Sequence, residues 1–106
     1  MTPEGGVKSV LSKTIKRFPD IYKFMSVPSG FGPSTLDYIL CVNAYFVAIE
    51  TKAPGKHPTP RQLGMMADIR RAGGIVLLID NKKDAEAIEV LFRLLLSVTR
   101  SGISKA

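Results

Sequence analysis

Residues 36–52 read LDYILCVNAYFVAIETK, and this stretch decides the fold. It holds two apolar runs, 38–42 and 45–49, that are rich in the β-branched and aromatic residues typical of strands. Asn43-Ala44 lies between them, and asparagine tolerates the positive φ angle that a two-residue turn requires. The stretch therefore predicts a β-hairpin.

The pairing across this hairpin follows by counting outward from the turn. If Val42 faces Tyr45, then Asp37 faces Glu50, with Cβ atoms about 5 Å apart. A symmetric four-residue loop gives the same pairing, whereas a loop of odd length shifts it. Lys52 is two residues beyond Glu50 and so projects from the same face.

Two carboxylates that face each other destabilise a sheet, and a bound divalent cation reverses the sign of that interaction. Hard oxygen ligands suit Mg²⁺ or Mn²⁺. An adjacent lysine can orient an attacking water or, as the neutral amine, deprotonate it, and its ammonium can stabilise developing charge. Spacing alone leaves open a simpler interpretation, in which Lys52 pairs with Asp37 or Glu50 on a solvated sheet face.

The first part of the chain predicts a helix and then a strand. Thr2 can cap the helix, with Pro3 at its first position, and Pro19-Asp20 ends it. A strand is expected over 22–27, followed by a turn-rich loop over 28–34. The buried face of the helix is predicted from its apolar spacing and comprises Val7, Val10, Leu11, Thr14, Ile15 and Phe18.

The second part predicts a helix, a buried strand and a last helix. Thr59-Pro60-Arg61-Gln62 has the pattern of a capping box, and that helix should run to about Ala72. Residues 75–79 are apolar throughout, which favours a strand covered on both faces and paired parallel to the Glu50 strand. The last helix should span about 83–99. The expected class is α/β, with order α-β-β-β-α-β plus a C-terminal helix around a mixed sheet.

Several of these elements together resemble the VRR-NUC branch of the PD-(D/E)XK nucleases, over Thr2 to about Leu91. One departure is Leu36, where the family usually has proline. The matching elements are Thr2-Pro3-Glu4-Gly5, Ser34-Thr35-Leu36-Asp37, Ile49-Glu50-Thr51-Lys52-Ala53, Pro58-Thr59-Pro60-Arg61-Gln62 and Ala72-Gly73-Gly74. The resemblance implies a single nuclease domain over 1–106, cleaving DNA with Mg²⁺ or Mn²⁺ held by Asp37 and Glu50.

The resemblance implies further roles for three residues. Glu4 would reach the metal site as an additional acid, although a carboxylate in the first turn also suits the helix dipole. The Thr51 carbonyl would be a metal ligand while its side chain faces away from the site. Gln62 would lie near the active site, although the capping box explains it equally well, and one side-chain conformation should not easily serve both.

Candidate DNA contacts lie in two loops. Lys56, His57 and Arg61 are near the start of the second helix, and Gly30 and Gly32 allow close approach of the backbone to a ligand. Each also has an ordinary interpretation as a solvated charge, a surface histidine or a turn glycine.

Composition restricts the chemistry. At 106 residues with a net charge of +6, the chain suits one core and polyanionic partners. The single Cys41 is expected in the core, and one Cys with one His cannot supply a tetrahedral zinc site. No segment is long and apolar enough for a signal peptide or a membrane span, so cytoplasm, or host cytoplasm for a phage-encoded protein, is expected.

The last helix carries apolar residues nearly all round, which favours a homodimer over burial within one chain. The function expected is metal-dependent endonucleolytic cleavage, selective for branched DNA such as Holliday junctions or flaps. The alternative is a non-catalytic nucleic-acid-binding or assembly module on the same scaffold.

Overall fold

A computed structural model describes residues 1–24 and 35–99. Its elements follow the predicted order. They are α1 (Pro3–Lys16), β1 (Tyr22–Phe24), β2 (Tyr38–Val42), β3 (Tyr45–Thr51), α2 (Pro60–Arg71), β4 (Ile75–Ile79) and α3 (Lys82–Ser97). The α/β class is confirmed. The loop predicted over 28–34, with Gly30 and Gly32, lies outside the described residues, as do residues 25–27 of the predicted first strand.

The strands form one mixed sheet in the order β1-β2-β3-β4. β1 and β3 both pair antiparallel with β2, whereas β4 pairs parallel with β3, as predicted. Val42 pairs with Tyr45 and Tyr38 with Ile49, so the predicted hairpin register is confirmed.

The turn of the hairpin has positive φ at both central residues, 51° at Asn43 and 70° at Ala44. This geometry matches the right-handed twist of the flanking strands. The Asn43 side chain also donates from Nδ2 to the carbonyl oxygens of Leu95 and Val98, at 2.8 and 2.7 Å. The turn is therefore fastened to the C-terminal end of α3.

The main core lies between the sheet and the helices α1 and α3. Leu11 of α1 and Phe92 of α3 are fully buried. The rings of Phe18 and Phe92 pack edge to face, with their centroids 5.4 Å apart. Truncating a buried Phe to Ala costs about 3–5 kcal/mol. The predicted buried stripe of α1 is confirmed, with Val10 only partly buried.

The other face of the sheet packs against α2. Ala48 and Val76 meet Met66 there, together with Leu36, in a smaller cluster. Alternation puts Cys41 on this face at a position that α2 does not cover, so the prediction of a core cysteine was wrong. On this face of β4 Val76 is buried under α2 but Leu78 is 42% exposed, so the predicted cover on both faces is only partial.

The last helix buries one face and leaves apolar residues on the other. Ala85, Ile88, Phe92 and Leu95 are buried, whereas Val90 and Leu94 are 68% and 61% exposed. No helix within residues 1–24 and 35–99 is long and apolar enough to cross a membrane.

Candidate active site

Asp37 and Glu50 come together at one end of the sheet. Asp37 directly precedes β2 and Glu50 is the penultimate residue of β3. The backbone N–H of Asp37 donates to Oε1 of Glu50 at 3.2 Å, so the two residues lie opposite each other as the register predicts. The Glu50 side chain is only 3% exposed, while that of Asp37 is 27% exposed.

The second carboxylate oxygen of Glu50 meets two further side chains. Oε2 accepts a hydrogen bond from Nε2 of Gln62 and lies 3.5 Å from Nζ of Lys52. Lys52 thus projects to the same face as Glu50, as alternation predicts.

Burial raises the pKa of the Glu50 carboxyl, and the Asp37 carboxylate raises it further. The hydrogen bond from the Asp37 backbone and the ammonium of Lys52 act in the opposite direction without cancelling the rise. Even with Lys52 at 3.5 Å, ionisation of this buried carboxylate beside a like charge is therefore unfavourable.

Thr51 supports the Asp37 carboxylate from the side. Its backbone N–H donates to Oδ2 of Asp37 at 3.0 Å, and its hydroxyl donates to the same oxygen at 2.6 Å. The prediction that the Thr51 side chain faces away from the site was wrong. Asp37 precedes the regular part of β2, and its side chain turns across the end of β3 instead of standing on the sheet face.

Gln62 serves both the helix and the site in one conformation. Its Oε1 accepts from the backbone N–H of Thr59 at 2.9 Å, and its backbone N–H donates to the Thr59 hydroxyl at 3.2 Å, completing the capping box. The amide nitrogen of the same side chain donates to Glu50. The expectation that one conformation would not easily serve both was therefore wrong, because the two ends of the amide point in different directions.

Lys8 is a site residue that sequence reasoning missed. Its Nζ lies 3.8 Å from Oδ1 of Asp37 and 3.3 Å from Oε2 of Glu4. Burial acts to lower the pKa of Lys8, but Asp37 and Glu4 outweigh it and raise the pKa above its usual value of 10.5. The only signal in the sequence was its place off the apolar stripe of α1, one turn after Glu4.

Glu4 is thus linked to Asp37 through the ammonium of Lys8. Both Glu4 and Lys8 have side chains that are 38% exposed. In the part of the chain that the structure describes, no three side chains from His, Cys, Asp and Glu gather where they could hold a metal ion. A direct metal contact by Glu4 stays a prediction.

The candidate DNA contacts lie outside this cluster. Lys56, His57 and Arg61 are exposed in the loop that precedes α2 and in its first turn. Lys56 belongs to a turn in which its N–H donates to the Ala53 carbonyl at 3.0 Å. Their exposure suits phosphate contact and equally suits solvent.

The acidic pair fits a hard divalent cation. Mg²⁺ commonly takes one or two carboxylates and completes its shell with waters and phosphate oxygens. Asp37 and Glu50 offer that donor set, each carboxylate has lone pairs beyond the hydrogen bonds it accepts, and a cation would offset their mutual repulsion. Which residues bind metal, including the Thr51 carbonyl, stays a prediction.

Comparison with solved structures finds this fold in a chain described as "VRR_NUC domain". The TM-score is 0.67 at 18% sequence identity, and the alignment covers 83% of this chain and 95% of that one. No family model and no curated protein matches the chain. The chain therefore has the fold of a VRR-NUC domain, as its resemblance to that branch predicted.

Proposed function

We propose that this chain is a metal-dependent DNA endonuclease that hydrolyses phosphodiester bonds. The observation that carries the proposal is the buried Glu50, joined to Asp37 by a backbone hydrogen bond and lying 3.5 Å from Lys52. Two acids and a lysine at one end of a sheet can supply the metal ligands and the charge stabilisation that assist phosphodiester hydrolysis. The VRR-NUC fold supports the same assignment.

In the proposed site Asp37, Glu50 and the Thr51 carbonyl would hold Mg²⁺ or Mn²⁺, which would polarise a phosphate as a Lewis acid and lower the pKa of a bound water. Lys52 would orient the attacking water as its ammonium or take its proton as the neutral amine, and the ammonium would offset negative charge on the phosphoryl oxygens. Gln62 fixes the Glu50 carboxylate, and Glu4 remains a candidate further acid that is linked to the pair through Lys8.

The proposed substrate is branched or otherwise structured DNA. The net charge of +6 favours a polyanion, and the exposed Lys56, His57 and Arg61 are candidates for backbone contacts. Such contacts position DNA without reading its sequence. Selection by shape, as at a Holliday junction or a flap, is consistent with that chemistry.

We also propose that the chain acts as a homodimer through α3. Val90 and Leu94 lie one turn apart on the outward face of that helix, and both are more than half exposed. Large apolar side chains in a row on a helix surface favour self-association. Two sites in one assembly would allow paired nicks in a branched substrate.

The alternative is a nucleic-acid-binding or assembly module without catalysis. The presence of Asp37, Glu50 and Lys52 in one cluster favours the enzyme, because binding alone does not require a buried carboxylate beside a second acid. A binding module would show salt-sensitive affinity for DNA with every strand left intact.

The test is cleavage of labelled Holliday-junction, flap, single-stranded and linear duplex DNA in Mg²⁺, Mn²⁺ or EDTA. Lys52→Met should lower the rate at least about 100-fold while DNA binding persists, because the lysine acts on the reacting groups. The matched control is Lys56→Met, which removes the same charge from an exposed loop and should affect binding more than rate. Equal cleavage by the wild type and Lys52→Met would overturn the proposed mechanism.

A further inference from the structure

The Lys8 ammonium lies between two carboxylates, one on its own helix and one on the sheet. Glu4 is one helical turn earlier at 3.3 Å, and Asp37 is at 3.8 Å across the α1–β2 contact. The shorter contact is to the residue outside the acidic pair. Lys8 therefore has a second acceptor at hand whenever Asp37 is engaged elsewhere.

The backbone of Lys8 is held in place next to the acidic pair. The hydroxyl of Tyr38, the residue after Asp37, donates to the Lys8 carbonyl oxygen at 3.3 Å. The same hydroxyl lies 2.9 Å from the Ser12 hydroxyl, one turn further along α1. Because Tyr38 is only 1% exposed, these bonds fix the register of α1 against β2. The approach of Lys8 to Asp37 is thus set by the core.

We propose that Lys8 is a built-in counter-cation of the acidic pair, which neutralises Asp37 in the metal-free protein and competes with a divalent cation for it. Glu4 is the acceptor to which Lys8 withdraws when the cation binds. The inference rests on the proposed function, since it takes Asp37 to be a metal ligand. It assigns Glu4 an indirect role, through Lys8.

Electrostatics predicts the direction in which Lys8 changes metal affinity and stability. An ammonium close to Asp37 repels a divalent ion at the same carboxylate, so Lys8 should weaken metal binding. In the absence of metal it offsets the repulsion between Asp37 and Glu50, so it should stabilise the fold. A surface lysine with no tie to the site would do neither.

The first test is Mn²⁺ binding by calorimetry without DNA. Lys8→Met keeps side-chain length and helix propensity, and it should bind Mn²⁺ about threefold to tenfold more tightly, the scale expected for a partly exposed charge pair. Lys8→Arg keeps the positive charge and should bind Mn²⁺ with the wild-type affinity. Lys16→Met removes an exposed charge from the same helix and should leave the affinity unchanged.

Asp37→Asn identifies binding at the proposed site. Suppose that Asp37→Asn abolishes Mn²⁺ binding but Lys8→Met binds Mn²⁺ no more tightly than the wild type. That result would overturn the role of Lys8 and leave the proposed metal site standing. Absence of any Asp37-dependent binding in both the wild type and Lys8→Met would overturn the proposed metal site and this inference with it.

A double-mutant cycle tests the part played by Glu4. Glu4→Gln should weaken Mn²⁺ binding in the wild type, because Lys8 then has Asp37 as its remaining acceptor within this cluster. In the Lys8→Met background the same change should have no effect. An equal loss in both backgrounds would show that Glu4 acts on the metal directly, and would overturn its role as the acceptor of Lys8.

Thermal unfolding gives a readout that is independent of affinity. In EDTA, Lys8→Met should unfold at a lower temperature than Lys16→Met, and Mn²⁺ should raise its midpoint by more than it raises that of the wild type. Identical midpoints for the two variants, with and without Mn²⁺, would contradict the proposal.

Discussion

Gln62 joins the start of α2 to the acid pair by donating its side-chain amide to Glu50, while its carbonyl oxygen accepts from Thr59. The helix cap and the site therefore share one side chain. Fixing the amide at one end by the cap orients the other end toward the carboxylate, so local secondary structure sets the geometry of Glu50.

Thr59→Ala and Gln62→Ala separate these two roles. Thr59→Ala removes a cap acceptor and should cost about 0.5–2 kcal/mol of stability with little change in cleavage rate per folded molecule. Gln62→Ala should cost a similar amount and also lower metal affinity or cleavage about 10–100-fold, as loss of an outer-shell partner does. Chemical denaturation and rate measurements on both variants test this. Equal rates in the two variants would contradict a role for Gln62 at Glu50.

Thr51→Val tests the support of Asp37 by the Thr51 hydroxyl. Thr51 is 1% exposed, so valine fits its volume but leaves Oδ2 of Asp37 without a hydroxyl donor. Loss of a hydrogen bond to a charged group costs about 1.5–3 kcal/mol. Thr51→Ser keeps the hydroxyl and should recover most of that loss in urea denaturation. Equal stability of the two variants would contradict the assignment.

Stability should depend on pH through Glu50. Burial, and then the Asp37 carboxylate, raise its pKa above the ordinary 4.5, so the folded protein binds this proton more tightly than the unfolded chain. Glu50 therefore destabilises the metal-free fold near neutral pH, and the penalty is relieved as pH falls through the raised pKa toward the unfolded value.

The measurement is unfolding in EDTA of the wild type and Glu50→Gln, between about pH 7 and about pH 5. The difference in unfolding free energy should move in favour of the wild type as the pH falls. Saturating Mn²⁺ should weaken or reverse that trend, because the cation binds the ionised carboxylate. A difference that is constant with pH in EDTA would contradict the assignment.

Leu94→Lys tests the proposed dimer. The wild type should sediment as a dimer at micromolar concentration, and lysine at this exposed position should raise the dissociation constant at least about tenfold. Stability of the monomer should change little, because Leu94 is 61% exposed. Arg93→Lys is the control, since it keeps the charge at the neighbouring position. A wild type that sediments as a monomer would remove the dimer from the proposed function.

Local chemistry made the hairpin and the helix starts predictable. The Asn43-Ala44 turn fixes the register, which brings Asp37 opposite Glu50 without knowledge of the remaining fold. Thr2 and Thr59 cap their helices as the sequence indicates. Each of these features depends on residues that are close together in the chain, and so the pattern carries the information.

Lys8 and the Thr51 hydroxyl could not be found in the same way. The contact between Lys8 and Asp37 depends on how α1 crosses the sheet, which the Tyr38 hydroxyl fixes from far along the chain. Thr51 obeys strand alternation, but Asp37 lies just outside its strand and does not. Strand alternation therefore predicts the direction of the Thr51 side chain correctly but not that of Asp37, and so it misses the contact between them.

The sequence predicts Asn43 as a turn residue, and in the structure its side chain also caps the C-terminal end of α3. It provides a positive φ and both donors that satisfy the carbonyl oxygens of Leu95 and Val98. Glycine would keep the backbone angle and lose both bonds, and aspartate would present a carboxylate to two carbonyl oxygens. The residues that position 43 can accept are therefore limited by the end of α3 as well as by the turn. A substitution there changes the contact between the hairpin and the helix together with the turn itself.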